Sequence, residues 1–163
     1  MGKFRKFWSL TGHEKLFLFE ACILLLLSKL SVKALAFRHI ESYLRVHWND
    51  DGRVVHRHDD IKKDIKLVSV SVSRAANVLP WKTLCLSRSI TALIMLRRRG
   101  ISAVLLTGVR SLEDSSLHAH AWVRTDNGVM DWSSDGNSDN SEFTVLVRIG
   151  QGPSLDSSRS VVS

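Results

Sequence analysis

The chain has 163 residues, 44% hydrophobic and 24% charged, a length that suits one hydrophobic core and a composition that excludes a disordered, collagen-like or disulfide-scaffold protein. Its 23 Lys and Arg against 16 Asp and Glu leave a formal net charge of +7, which favours an acidic partner without choosing among nucleic acid, an anionic membrane surface and an acidic peptide. Aromatic residues are only 7%, sparse for the stacking surface of a single-strand binder, so nucleic acid is not expected as a partner. Lys3-Phe4-Arg5-Lys6 ahead of an apolar stretch looks superficially like a signal peptide, but Glu14, Lys15 and Glu20 interrupt that stretch and no small-residue cleavage site follows. The run Ala21 to Leu27 falls far short of the ~18–20 apolar residues of a membrane span, so no transmembrane segment is expected. Cys22, inside that run, reads as a small buried hydrophobe, and with only one other cysteine, Cys85, a structural disulfide is not expected. The location expected from these features is cytoplasmic.

From Glu14 to about Arg45 apolar residues recur at helical steps: Leu16, Phe19, Ile23, Leu26 and Leu30, then Leu35, Ile40 and Leu44 beyond a break near Ser31. This predicts two packed helices. His47 to Asp60, with Asn49-Asp50-Asp51-Gly52, is a polar connector. A third helix is expected over Asp60–Leu79; Val68 to Val72 alternates as a strand would, but Ile61, Ile65, Val68 and Val72 share one helical face. Pro80 ends it. A fourth helix should run from about Leu84 to Arg99, with Thr83 as N-cap and Gly100 as a left-handed C-terminal cap. After Gly100 the period changes to that of strands, at Ala103–Val109, Leu117–Thr125, Val129–Ser133 and Phe143–Ile149, with Asp126-Asn127-Gly128 as a hairpin turn. The Ser-rich last dozen residues read as a loose tail. Helices first, then a helix followed by a short antiparallel sheet, is an α+β arrangement. The expected division is an N-terminal helical region over 1–79, a catalytic core over 80–150 and a tail over 151–163, within one compact domain.

Cys85 falls in the first turn of the fourth helix, where backbone N–H groups and the helix dipole favour a thiolate. Ser89 and Ala92 follow it on one face, small enough for a strand to approach, while Leu86, Ile90 and Leu93 form a bulkier face. In Leu117 to Val123 the even positions His118, His120 and Trp122 share one side and the odd positions the other. A cysteine nucleophile needs an imidazole to take the thiol proton and a carboxylate or amide to orient that ring. Asp131 can supply the carboxylate, because both hairpin registers, with Asp126-Asn127 or Asn127-Gly128 at the tip, put it on His120's side of the sheet. Asp135, opposite His120 in the second register, is the alternate. Two metal-ligand sets also have workable spacing, His118 and His120 with Cys85, and His56 and His58 with Asp59 and Asp60, but neither is completed by a second Cys/His pair at finger-like spacing. No metal or other cofactor is expected. Arg97-Arg98-Arg99 can meet phosphate, though basic residues are favourable at a helix C-terminus in any case.

Cys85-Leu-Ser-Arg-Ser-Ile, Leu96-Arg-Arg-Arg-Gly-Ile, Thr107-Gly-Val-Arg and Ala119-His-Ala-Trp-Val, in that order, resemble the lasso-peptide leader peptidases, the standalone protease half of the split B protein, in the transglutaminase-like superfamily. The resemblance runs from about Trp81 to Asp131, and more loosely over the leucine-rich N-terminal part including Ala36-Phe37-Arg38. It implies a papain-like core, with Cys85 as nucleophile, His120 as general base and Asp131 as orienting acid. The implied activity is removal of the leader from a ribosomally made lasso precursor peptide. The implied partners are that precursor, a small leader-recognition protein and an ATP-dependent macrolactam synthetase. Two positions depart from the family pattern: Arg124 stands where a Glu usually follows His-Ala-Trp-Val, and the family's acid often sits one position later, here Trp132. By analogy with other thiol acyl-transfer sites the Cys85 backbone N–H is a candidate oxyanion donor and the Trp81 indole N–H a second. The competing class is a non-catalytic basic module that binds a peptide or nucleic acid, with Cys85 and His120 as core residues.

Overall fold

The computed structural model describes residues 11–34, 58–112, 115–132 and 140–151. Among them are helices α1 (Gly12–Ala34), α2 (His58–Val78) and α3 (Cys85–Arg97), and strands β1 (Ala103–Ser111), β2 (Leu117–Thr125), β3 (Gly128–Met130) and β4 (Thr144–Gln151). The strands form one antiparallel sheet in the order β3-β2-β1-β4. The fold class is therefore α+β, as the change of period at Gly100 predicts. The segment past Ala34, with Leu35, Ile40 and Leu44, lies outside the described residues.

Helix α1 starts on a reciprocal capping box. The Glu14 backbone N–H donates to Thr11 Oγ1 at 3.3 Å, and the Thr11 N–H and hydroxyl donate to Glu14 Oε2 at 2.9 and 3.0 Å. Two donors with no intrahelical partner are thus satisfied. The helix is apolar almost all round, and which stripe is buried differs from what the period implies. Phe17, Leu18, Ala21 and Leu25 enter the core, whereas Leu16, Phe19, Ile23, Leu26 and Leu30 are the exposed stripe. Both stripes have helical spacing, so periodicity alone cannot rank them. Helix α2 follows its expected face, with Val68 and Val72 fully buried and Ile61 and Ile65 packed against the same core.

The start of α3 differs from expectation. Leu84 holds the N-cap position in an extended conformation with no side-chain cap, and Thr83 Oγ1 instead accepts a 2.7 Å hydrogen bond from Arg88 Nε. The helix begins at Cys85 itself, which leaves Thr83 one residue too far upstream to cap. At the other end Gly100 adopts φ +67°; its N–H donates to the Arg97 carbonyl at 2.9 Å and that of Ile101 to the Leu96 carbonyl at 3.1 Å. These are the two bonds of a Schellman turn, which needs a left-handed residue at this place.

The sheet is covered on both faces. Ala103, Leu105, Ala121, Val123 and Ile149 pack under the helices in the main core. Val104, Leu106 and Trp122 form a second, smaller cluster on the opposite face with Phe143 and Val145. Strand β2 has the bounds that its alternation predicts, while β3 is short and pairs only with Val123–Thr125. Of the two hairpin registers, the one with Asp126-Asn127 at the tip is realised, since Thr125 pairs with Gly128.

Candidate active site

Because β3 pairs only as far back as Val123, the outer edge of β2 at Ala121 has no strand neighbour among the described residues. Helix α3 takes that place. The Ala121 carbonyl accepts a 2.9 Å hydrogen bond from Ser89 Oγ, and the Ala121 N–H donates to the Cys85 sulfur. Cys85 and Ser89 are four residues apart and so lie one above the other on one helix face. The N–H and C=O of one strand residue point to the same side. The helix face with small polar side chains thus completes the strand edge, and the sulfur arrives beside His120, the residue just before Ala121.

His120 is one residue out of step with Ala121, so it belongs to the second face of the sheet with Trp122. Its imidazole is 5% exposed as a residue. Nε2 lies 2.6 Å from Asp131 Oδ1, and both side chains are nearly sealed from solvent. With Nε2 taken up by the carboxylate, Nδ1 is the nitrogen left for the sulfur, to which the ring is also hydrogen-bonded. Cys85, His120 and Asp131 therefore stand in one hydrogen-bonded series. Asp131 reaches the ring as the register predicts: Val123 pairs with Met130, which sets Asp131 beside Trp122, on His120's face. The next residue is held too, since the Trp132 indole N–H donates to Ser73 Oγ of α2 at 2.9 Å.

The electrostatics follow from these contacts. Burial raises the Cys85 thiol, but the His120 hydrogen bond and charge, with the N–H groups of Ala121 and Leu86, outweigh it and bring the thiol below its ordinary value. The Leu86 N–H belongs to the first turn of α3, where no side-chain cap competes for it. His120 shifts the opposite way: the hydrogen bond to Cys85 raises it most, burial opposes, and the hydrogen bond and charge of Asp131 raise it further. A lowered thiol beside a raised imidazole favours thiolate with imidazolium, the reactive form of a cysteine nucleophile.

His118 shares His120's face and packs its ring against Phe143 at a centroid distance of 5.8 Å. The Trp81 indole N–H is buried with no hydrogen-bond partner among the described residues, and Lys29 Nζ lies 4.2 Å from the centre of its ring. Asp135 and His56 lie outside the described residues, and His58 and Asp59 are described in backbone only. Among the described residues no group of three or more His, Cys, Asp or Glu is arranged to hold a metal ion. Of the arginines that follow α3, Arg99 is largely buried and reaches Glu20 of α1 at 2.6 Å, while the mostly exposed Arg98 reaches the same carboxylate at 3.1 Å. No helix among the described residues is long and apolar enough to cross a membrane.

The residues around this arrangement outside the sequence-level triad are Ala121 and Leu86 through their N–H groups, Ser73 and Trp132 through their hydrogen bond, Gly108 of β1, which pairs with His120, and Phe143, whose ring lies 5.4 Å from that of His120. Only Gly108 carried a usable signal, as a glycine inside an otherwise strand-like run. No curated protein and no solved structure matches the chain. Residues 24–148 match the transglutaminase-like superfamily, a group that includes cysteine peptidases. That span takes in the second half of α1, helices α2 and α3, strands β1 to β3 and most of β4; the chain belongs to the transglutaminase-like superfamily.

Proposed function

We propose that this chain is a cysteine endopeptidase that removes the leader from a ribosomally made lasso precursor peptide in the cytoplasm. The observation that carries the reading is the series Cys85–His120–Asp131, with the thiol pushed down and the imidazole pushed up. In the proposed reaction the Cys85 thiolate adds to the carbonyl carbon at the leader–core junction. The negative charge moves to the carbonyl oxygen, for which the Cys85 backbone N–H and the Trp81 indole N–H are the proposed donors. The His120 imidazolium gives its proton to the amide nitrogen as the C–N bond breaks, leaving a thioester and a free amine. Water, deprotonated by His120, then attacks the thioester, and the sulfur leaves as thiolate. Asp131 holds the ring and stabilises its charged form throughout. The lasso-specific part of the proposal, with its recognition protein and macrolactam synthetase, rests on the ordered motifs around Cys85 and His120. The charge of +7 suits an acidic leader or partner.

The test is mass spectrometry of a lasso precursor peptide incubated with the chain and the leader-recognition protein from the same gene neighbourhood. Wild type is expected to release leader and core. Cys85→Ala should lower turnover by roughly 10^4-fold or more while its circular dichroism and melting profile stay those of the wild type. Cleavage that persists in Cys85→Ala, or that chelators stop and thiol alkylation spares, overturns the proposal. Products joined through a glutamine side chain rather than cleaved would identify an amine transferase instead. Precursor binding that survives Cys85→Ala with no cleavage by the wild type would identify a binding module.

A further inference from the structure

His120 touches more than its two polar partners. Its ring stacks on Trp122 at a centroid distance of 6.0 Å and 17° between planes, and lies 5.4 Å from Phe143. Trp122 and Phe143 are themselves 5.7 Å apart, so three rings form a closed triangle. Phe143 enters from just before β4, on a single 3-10 turn (Asn140–Glu142) whose Asn140 carbonyl accepts the Phe143 N–H at 3.2 Å. It is backed by Arg110 of β1, whose guanidinium lies 5.1 Å from the ring centre and pairs with Glu142.

Gly108 is what lets the triangle close. It pairs directly with His120 across β1 and β2, and the β1–β4 register shifts between Thr107 and Gly108. A Cβ at this position would meet the Thr144 carbonyl oxygen at 2.8 Å, the Trp122 ring at 3.1 Å and the Phe143 Cβ at 3.2 Å. The first of these is backbone, which cannot swing aside. A strand glycine of this kind marks a close approach that any side chain would block.

We propose that Phe143 and Gly108 are positioning residues for the His120 imidazole: Phe143 closes the aromatic seat that keeps the ring turned toward both Cys85 and Asp131, and Gly108 provides the space that seat needs. An imidazole held only by two hydrogen bonds can rotate about its side-chain bonds; packing against one stacked and one tilted ring removes that freedom. The inference rests on the functional reading above, in which a thiolate–imidazolium pair is the reactive form.

The test reads Cys85 directly and needs no substrate. The rate of iodoacetamide alkylation of Cys85 is followed against pH, with the Cys85 peptide resolved from the Cys22 peptide by mass spectrometry. Among the described residues, the charged and titratable groups facing His120 are Cys85 from α3, Asp131 after β3 and His118 on β2, with Arg110 and Glu142 behind Phe143. In the wild type the profile is expected to have its midpoint below that of an ordinary thiol. Phe143→Ala should move the midpoint up by roughly one unit, about tenfold slower alkylation on the acid side. Gly108→Ala should move it in the same direction, and Phe143→Tyr, which keeps the ring, should restore the wild-type profile. If Phe143→Ala does not fold, Phe143→Leu carries the test, with the same upward shift expected. A midpoint unchanged in folded Phe143 and Gly108 variants, whatever their melting temperatures, overturns the positioning role and leaves the peptidase reading standing. A wild-type midpoint in the ordinary thiol range overturns the ion pair itself, and with it both proposals.

Discussion

Cys22 and Cys85 are the same side chain in opposite environments. Cys22, half-buried on α1, is pushed up by burial alone; Cys85 is comparably enclosed yet pushed down, because an imidazole and two backbone N–H groups face it. Near neutral pH iodoacetamide should therefore label Cys85 at least roughly tenfold faster than Cys22 in the folded chain, a ratio lost in denaturant. The same pair sets the pH dependence. Cys85 has a folded value below its unfolded one, so its stabilisation is present above the unfolded thiol value and lost as pH falls through the folded one. His120 has a raised folded value, so its stabilisation is complete below the unfolded imidazole value and lost as pH rises through the folded one. The proposed reaction uses thiolate and imidazolium together, so kcat/KM should rise as the thiol ionises and fall as the imidazolium loses its proton, with limbs that belong to the pair. Asp131→Asn removes a charge that favours the imidazolium. Its alkaline limb should move to lower pH and its kcat fall by roughly 10^2–10^4-fold, measured as a full pH–rate profile.

At the scale of elements, the site depends on α3 replacing a strand at the edge of β2. Ser89 is fully buried and its hydroxyl donates to the Ala121 carbonyl, so Ser89→Ala should destabilise the fold by about 1–3 kcal/mol, read by chemical denaturation. Trp132, the residue after Asp131, is tied to α2 through Ser73; Trp132→Phe keeps an aromatic side chain but loses the donor, and should cost about 1 kcal/mol or more in the same measurement. The strands were legible because alternation is a local signal: β2 runs from Leu117 to Thr125 as its pattern predicts, and Gly100 closes α3 as a left-handed cap. Thr83 was misleading because Thr is a good cap wherever the helix starts next to it, and here the helix starts two residues later. Helix α1 starts upstream of the Glu14 that periodicity implies, on a Thr-x-x-Glu capping box that the apolar period does not register. Ser89 could be placed on Cys85's face from spacing, but its acceptor, 32 residues away, could not.

Across the whole molecule, α1 is joined to the end of α3 by one carboxylate. Glu20 and Arg99 are both largely buried at 18% and 19% side-chain exposure, and Arg99 also lies over the Phe17 ring at 3.9 Å. Glu20→Gln should lower stability by about 1–2 kcal/mol, more than an exposed pair would, and the difference from wild type should shrink only modestly in high salt because the pair is shielded from solvent. The chain's own order of residues determined the α+β class, the helix–strand boundary at Gly100 and the shared face of His120 and Asp131, since each of these depends on spacing within one element or one hairpin; that Cys85 of α3 comes beside His120 was decided by the docking of the helix on the edge of β2. Tertiary structure decided which stripe of α1 is buried, that Arg98 and Arg99 meet Glu20, and that Phe143 and Gly108 frame the His120 ring. Those outcomes depend on contacts between distant segments, where several faces satisfy the local pattern equally well and only the packing of the others selects one.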